Sequence, residues 1–68
     1  MPVKKLRVNG EDKLLTVNSI SELLKALKFS SQSIAVALNG ELVQQELWQT
    51  TTLKNNDRIE IVMPMQGG

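Results

Sequence analysis

The carboxyl end of this sequence, Gln66-Gly67-Gly68, carries its most distinctive chemical group. The α-carboxylate of Gly68 is ionised at neutral pH, so it can attack an activated phosphate and become an acyl-adenylate. Glycine suits this position because a backbone without Cβ can lie in a narrow site of a partner enzyme. A frayed terminus is the other interpretation of such a segment. We expect a flexible tail over residues 65–68, because Pro64 cannot donate to a strand ladder.

The remaining composition argues against an enzyme. The 68 residues include no His and no Cys, which removes the commonest general base, the strongest side-chain nucleophile and the usual zinc ligands. The four glycines, single at Gly10 and Gly40 and paired at the end, form no phosphate-binding loop. Carboxylates such as Asp57 and Glu60 are interpreted as solvated surface groups. We therefore expect no catalytic side chain, no metal site and no bound cofactor.

Charge and hydropathy restrict the partners. Eight cationic and seven anionic side chains give a net charge of +1, and they are scattered along the chain, which argues against nucleic-acid binding. No apolar run approaches the ~20 residues of a membrane span, and the first residues do not resemble a signal peptide. The absence of Cys suits a reducing compartment. We expect a soluble, cytoplasmic protein that is monomeric when free and binds no membrane.

Two Asn-Gly pairs predict the turns that organise the strands. Asn9-Gly10 and Asn39-Gly40 both lie between apolar runs, and both residue types tolerate the positive φ of a type I′ hairpin turn. The first turn joins predicted strands over residues 3–8 and 13–17. Residues 34–38 are apolar throughout, which predicts a central strand covered on both sides. A short strand from residue 41 and a brief helical turn over 44–48 follow the second Asn-Gly pair.

One helix and one further strand complete the predicted elements. Ser19 and Glu22 have the spacing of a capping box, in which each side chain accepts the other residue's free backbone N–H. The helix that Ser19 opens has one apolar face, and Lys25 and Lys28 lie late in it, where its dipole favours cations. After a turn over residues 54–57, the alternation from Arg58 to Met63 predicts a strand with Met63 facing inward.

This order of elements predicts an α+β fold, with a mixed sheet of about five strands and one main helix packed across it. If the last strand returns beside the first, the arrangement is a β-grasp. It forms one domain over residues 1–64, followed by the tail. Trp48 and Phe29 are expected to close the edges of the core, and Leu53 is a further core candidate. The predicted core comprises Leu6, Val8, Leu15, Val17, Ile20, Leu23, Leu24, Leu27, Val36, Leu38, Ile59 and Ile61.

Four apolar residues near strand ends are candidates for a docking surface. Leu42, Val43, Val62 and Met65 fall near predicted strand ends or point away from the predicted core. A patch of exposed apolar side chains beside a reactive tail would suit a partner enzyme. We therefore expect these four residues to contribute to partner docking.

The sequence resembles the ThiS family of sulfur carriers over essentially its whole length. The resemblance is carried by Val8-Asn9-Gly10-Glu11, the apolar run and turn over 34–43, Trp48, the segment 57–62 and the terminal Gln66-Gly67-Gly68. Each motif is common, whereas the set in this order is much more specific. One departure is Asn56, where the family often has Gly. Asn also enters the left-handed region, so the turn is still expected.

The resemblance implies a β-grasp fold and a carrier function. In the family, an E1-like adenylyltransferase, ThiF, adenylates the terminal glycine with ATP and magnesium, and a sulfur donor system converts it to a thiocarboxylate. The thiocarboxylate gives its sulfur to thiazole synthase, ThiG, for the thiazole moiety of thiamine. Carried over, Gly68 holds the adenylate and then the sulfur, while Gly67 and Gln66 thread into the partner.

Two alternatives stay open. A related carrier could serve another acceptor, as the small subunit of molybdopterin synthase, a tRNA-thiolation carrier or a protein modifier does. The tail and fold do not separate these from a thiamine carrier. A regulatory β-grasp domain that binds RNA or nucleotides is a different class, and the near-neutral charge and free diglycine argue against it.

Overall fold

Five strands and one α-helix are present in residues 3–29 and 34–63, which the computed structural model describes. The strands pair in the order β2-β1-β5-β3-β4, with β1 and β5 parallel and both hairpins antiparallel. The last strand thus returns beside the first, and the predicted β-grasp is confirmed. The elements are β1 Lys4–Val8, β2 Glu11–Leu15, α1 Ile20–Ala26, β3 Ala35–Leu38, β4 Glu41–Val43, a 3₁₀ turn at Gln45–Leu47, and β5 Arg58–Val62.

Both Asn-Gly pairs form the hairpin turns that the sequence predicts. Asn9 and Gly10 have φ values of 51° and 84°, and Asn39 and Gly40 have 51° and 88°. These left-handed values match a type I′ turn, which keeps the right-handed twist of the flanking strands. Asn56, at the turn before β5, has a φ of 72° and so also adopts the left-handed conformation expected of it.

The helix begins at its predicted cap, with one difference in the capping box. The Ser19 hydroxyl accepts the backbone N–H of Glu22 at 3.2 Å, as expected. The Glu22 carboxylate, however, accepts the N–H of Asn18 at 2.9 Å instead of that of Ser19. The Glu22 side chain therefore bonds the residue before the N-cap instead of the N-cap residue itself, and this bond holds the chain segment that enters the helix.

The carboxyl end of α1 is a Schellman motif with lysine in the position that glycine usually takes. The N–H of Phe29 bonds the carbonyl of Leu24 at 2.9 Å, and that of Lys28 bonds Lys25 at 3.1 Å. This geometry places Lys28 at a φ of 63°. Lys28 was predicted to lie late in the helix, but it lies beyond it, because α1 ends at Ala26.

The core lies between α1 and one face of the sheet. Nine of the twelve predicted core residues are buried, and Leu15, Leu27 and Leu38 are partly buried against them. Trp48 and Leu53 are also buried, and the Trp48 indole N–H donates to the carbonyl of Val43 at 2.9 Å. The buried set is Leu6, Val8, Val17, Ile20, Leu23, Leu24, Val36, Trp48, Leu53, Ile59 and Ile61.

Two predictions about strand environment are wrong. Strand β3 is an interior strand, paired with β5 and β4, but it is not covered on both faces, because α1 covers only one face of the sheet. Ala35 is consequently exposed instead of covered. Met63 does not face inward, because β5 ends at Val62 and the alternation stops there, leaving Met63 63% exposed.

No helix in the described part of the chain is long and apolar enough to cross a membrane.

Candidate docking face

The sheet has one face that the helix leaves open. Along β5, Ile59 and Ile61 are buried towards the core, whereas Arg58, Glu60 and Val62 are exposed. Successive side chains of a strand point to opposite faces, so these three lie together on the open side. The registers of the neighbouring strands continue this surface in both directions. We call this surface the open face.

One half of the open face is apolar and lies where β5 ends. Ala35 is paired with Val62 in the β3–β5 ladder, and Ala37 is paired with Leu42 in the β3–β4 ladder. Leu42 is 68% exposed and Val62 is 59% exposed. These two predicted docking residues are thus on the same face of the sheet, with the small alanine side chains on the strand between them. We call Ala35, Ala37, Leu42 and Val62 the apolar half.

The structure separates Val43 from the other docking candidates. Val43 pairs with the buried Val36, is half-buried, and packs against the core on the helix-covered face. It directly follows Leu42 in the strand, so alternation directs its side chain to the opposite side. Val43 is therefore not part of the open face. Met65, together with Gln66, Gly67 and Gly68, lies outside the described residues, so the tail assignments stay predictions.

The other half of the open face is basic. Arg7 is the register partner of Arg58 in the parallel β1–β5 pair, and Lys5 lies two residues earlier on the same side of β1. Asp12 accepts from the Arg7 Nε at 3.2 Å and lies 3.7 Å from the Lys5 Nζ. We call Lys5, Arg7 and Arg58 the basic half.

Sequence reasoning missed the basic half because its cations looked scattered. Lys5 and Arg7 have the two-residue spacing of one strand face, which is a usable signal. Arg58 is far away in sequence and joins them only through the parallel pairing of β1 and β5. A shallow cavity of about 190 Å³ lies beside the two arginines and is bordered by Gly10, Gly40 and Glu60.

The strand that leads to the tail is held at both ends by side chains from the two hairpin turns. Asn9 exchanges two hydrogen bonds with the backbone of Ile61, at 2.8 and 3.2 Å. At the other end, the Asn39 Oδ1 accepts the N–H of Arg58 at 2.9 Å, and the Asn39 Nδ2 donates to Asp57 at 3.0 Å. Because side chains replace missing ladder partners, β5 is anchored along its whole length.

The described residues form a surface suited to binding. Residues 3–29 and 34–63 contain no group of three or more carboxylate, His or Cys side chains that could hold a metal ion. The open face instead offers apolar area for burial and cations for pairing with carboxylates, which are the usual components of a protein interface.

Comparison with known proteins agrees with the fold. The model of the ThiS family matches residues 6–68 of the chain. The crystal structure of the thiamine biosynthesis protein ThiS from Geobacter metallireducens is 35% identical, with a TM-score of 0.81 over 94% of this chain and 99% of that one. An NMR solution structure of a thiamine biosynthesis protein from the same organism is also 35% identical, with a TM-score of 0.76 over 94% and 87% of the two chains.

Sequence relatives give a second group of similar proteins. The uncharacterized protein ycf40 of Porphyra purpurea is 31% identical over 64 residues, which cover 93% of this chain and 90% of the relative. The protein of the same name from Pyropia yezoensis is 33% identical, with the same coverage. That from Trieres chinensis is 32% identical over 63 residues, or 90% and 85% of the two chains.

Proposed function

Because the chain belongs to the ThiS family of small ubiquitin-like sulfur carriers, we propose that it delivers sulfur for the thiazole moiety of thiamine. The observation that carries the proposal is the extent of the family match, which runs through residue 68 and so includes the diglycine. The thiamine biosynthesis proteins of the same fold support it.

The proposed reaction takes place at the Gly68 carboxylate. One carboxylate oxygen attacks the α-phosphorus of ATP, pyrophosphate leaves, and an acyl-adenylate remains on the chain. Hydrosulfide from the donor system then adds to the carbonyl carbon, AMP leaves as the carbon–oxygen bond breaks, and loss of the thiol proton gives the thiocarboxylate. Adenylation is required because the oxide leaving group of a free carboxylate is too poor for direct exchange, whereas AMP is a good one.

The catalytic groups belong to the partners. An E1-like adenylyltransferase of the ThiF type would supply the magnesium and the cationic groups that stabilise phosphoryl transfer. A thiazole synthase of the ThiG type would then accept the sulfur. The role of this chain is to present its tail, with Leu42 and Val62 of the apolar half contributing buried area to the docked complex. ATP is a substrate of the adenylating partner, and magnesium is the cofactor of that partner.

The test is the intact mass of the protein after incubation with a ThiF-type enzyme, magnesium, ATP and a sulfur donor. The parent should gain AMP and then exchange oxygen for sulfur. Deleting Gly68 retracts the carboxylate by at most ~3.6 Å, which exceeds the tolerance of the reaction geometry, so this variant should stay unmodified. Adding Ala after Gly68 should also abolish the reaction, as should Gly67→Val, which adds a branched side chain to the tail.

Two results would contradict the carrier proposal: modification of the chain that lacks Gly68, or no modification of the parent. The acceptor needs a separate experiment. Purified thiocarboxylated protein is mixed in parallel with a ThiG-type thiazole synthase and with the large subunit of a molybdopterin synthase. Sulfur loss only with the thiazole synthase supports the thiamine role, and loss only with the other acceptor assigns the chain to a related carrier.

A further inference from the structure

The basic half of the open face has more positive charge than its surroundings neutralise. Lys5 and Arg7 share the single carboxylate of Asp12. Among the residues that the structure describes, no acidic side chain lies within ion-pair distance of Arg58. Two arginines in register on adjacent strands repel each other. An arrangement that costs folding free energy in the isolated chain is consistent with a function in binding.

The charge of the chain is divided unevenly. Lys5, Arg7 and Arg58 with the Asp12 carboxylate carry a net charge of +2, and Glu60 on the same face lowers this sum to +1, whereas the five other cations and five other carboxylates of the chain sum to zero. The cations of the basic half are exposed, with Lys5 and Arg7 both on the solvent side of β1. A local field of this kind steers an oppositely charged partner and accelerates association.

We propose that Lys5, Arg7 and Arg58 form an electrostatic docking site for an acidic surface of the adenylating partner. This inference rests on the proposed function and specifies the chemistry of its partner. In the docked complex, the apolar half provides area that becomes buried, next to the end of β5 from which the chain continues to the tail. The basic half, on another part of the same sheet face, sets the orientation of the two proteins. The matching partner surface therefore has an apolar area with a group of carboxylates beside it.

Other occupants fit this surface less well. A second copy of the chain, packed face to face, would place the basic half against either another basic half or an apolar half, and neither supplies the opposite charge. Nucleic acid would need a longer cationic track than three side chains, because its affinity grows with the number of phosphates neutralised. An acidic protein surface matches both the apolar and the cationic parts of the open face.

Glu60 provides a test of opposite sign. It lies on the open face of β5, two residues after Arg58 and two before Val62, and it borders the same cavity as the arginines. If the partner surface is acidic, this carboxylate opposes docking. Removing the Glu60 charge should therefore accelerate the reaction, whereas removing the arginine charges should slow it.

The experiment measures kcat/KM for pyrophosphate release by a ThiF-type enzyme between about 20 and about 300 mM NaCl, a range over which screening of exposed charges increases strongly. Three proteins are compared with the parent. The double variant Arg7→Gln/Arg58→Gln removes two charges from the open face. The control Lys25→Gln/Lys28→Gln removes two charges on and after α1, which covers the other face of the sheet. The third is Glu60→Gln.

The parent kcat/KM should fall as salt rises. At low salt the arginine double variant should lose about tenfold in kcat/KM, with little change in kcat and a flatter salt dependence. Glu60→Gln should gain about two- to threefold, and the lysine control should follow the parent. An arginine variant with the parent's salt dependence would overturn the proposal, as would an equal loss in the lysine control. If the parent itself is never adenylated, the proposed function fails with it.

Discussion

The side chain of Asn9 and the backbone of Ile61, 52 positions apart in sequence, bond each other twice. The Ile61 N–H donates to the Asn9 Oδ1 at 2.8 Å, and the Asn9 Nδ2 donates to the Ile61 carbonyl at 3.2 Å. Strand β1 ends at Val8, so the carboxamide supplies the partner that the β1 backbone no longer offers. The turn residue of the first hairpin thereby fixes the final part of β5, from which the chain continues to its carboxyl end.

In the Asn9→Gly variant the final part of β5 should be held less firmly, so the carboxyl end should be positioned less accurately for the partner enzyme. Glycine accepts the turn's φ of 51°, so the hairpin should persist while both side-chain bonds to Ile61 are lost. Each lost bond costs about 1 kcal/mol of stability, partly offset by relief of the left-handed strain. Adenylation by a ThiF-type enzyme should fall several-fold, and exchange of the Ile61 amide hydrogen should accelerate.

Asn39→Gly is the matched control for this variant. It has the same φ of 51°, begins the same kind of turn and loses bonds to Arg58 and Asp57, at the opposite end of β5. It should lose stability without a comparable loss in adenylation at a temperature where both variants are folded. Equal losses in the two variants would show that Asn9 affects only overall stability.

Replacing Lys28 by glycine should stabilise the domain. Lys28 has a φ of 63° at the end of α1, a conformation that costs a residue with a Cβ about 1 kcal/mol. Urea denaturation should therefore give Lys28→Gly a free energy of unfolding roughly 0.5–1 kcal/mol above that of the parent. Lys28→Ala is the control, because it removes the charge and leaves the strain. An increase of the same size in Lys28→Ala would contradict the conformational explanation.

Truncating Leu24 should be costly, because this side chain is 4% exposed and belongs to the core beneath the sheet. Leu24→Ala is expected to lower the free energy of unfolding by about 2–5 kcal/mol, through lost burial and the cavity left behind. The same truncation at Leu14, which is 71% exposed, should change it by about 0.5 kcal/mol or less. If urea denaturation gave comparable losses in the free energy of unfolding for Leu24→Ala and Leu14→Ala, the placement of Leu24 in the core would be wrong.

Polar substitutions in the apolar half should weaken partner docking. The double variant Leu42→Ser/Val62→Ser removes exposed apolar area, so the KM for the carrier in adenylation should rise about tenfold while the fold is retained. Ala26→Ser, at an exposed site on α1, which covers the other face of the sheet, is the control and should keep the parent KM. An unchanged KM in the double variant would place docking elsewhere on the molecule.

Local sequence determined the turns, the helix start and the type of each element. Asn-Gly pairs set two hairpins because the left-handed φ values of a type I′ turn depend on the turn residues themselves. Ser19 capped α1 as expected, since a cap contacts only residues within one helical turn. The diglycine and the proposed role of Gly68 also come from the sequence and the family match alone, because the tail lies outside the described residues.

Tertiary structure decided which strand is central, which side chains share a face and which charges become neighbours. Residues 34–38 look like a strand covered on both faces, yet α1 covers only one face of the sheet, and β5, which pairs with β1 and β3, takes the middle position. Val43 is grouped with Leu42 in the sequence analysis because both lie near a predicted strand end, although alternation puts them on opposite faces. Arg7 meets Arg58, and Asn9 meets Ile61, only through the parallel pairing of the first and last strands. Such contacts depend on edge pairing between distant segments, which no local propensity encodes.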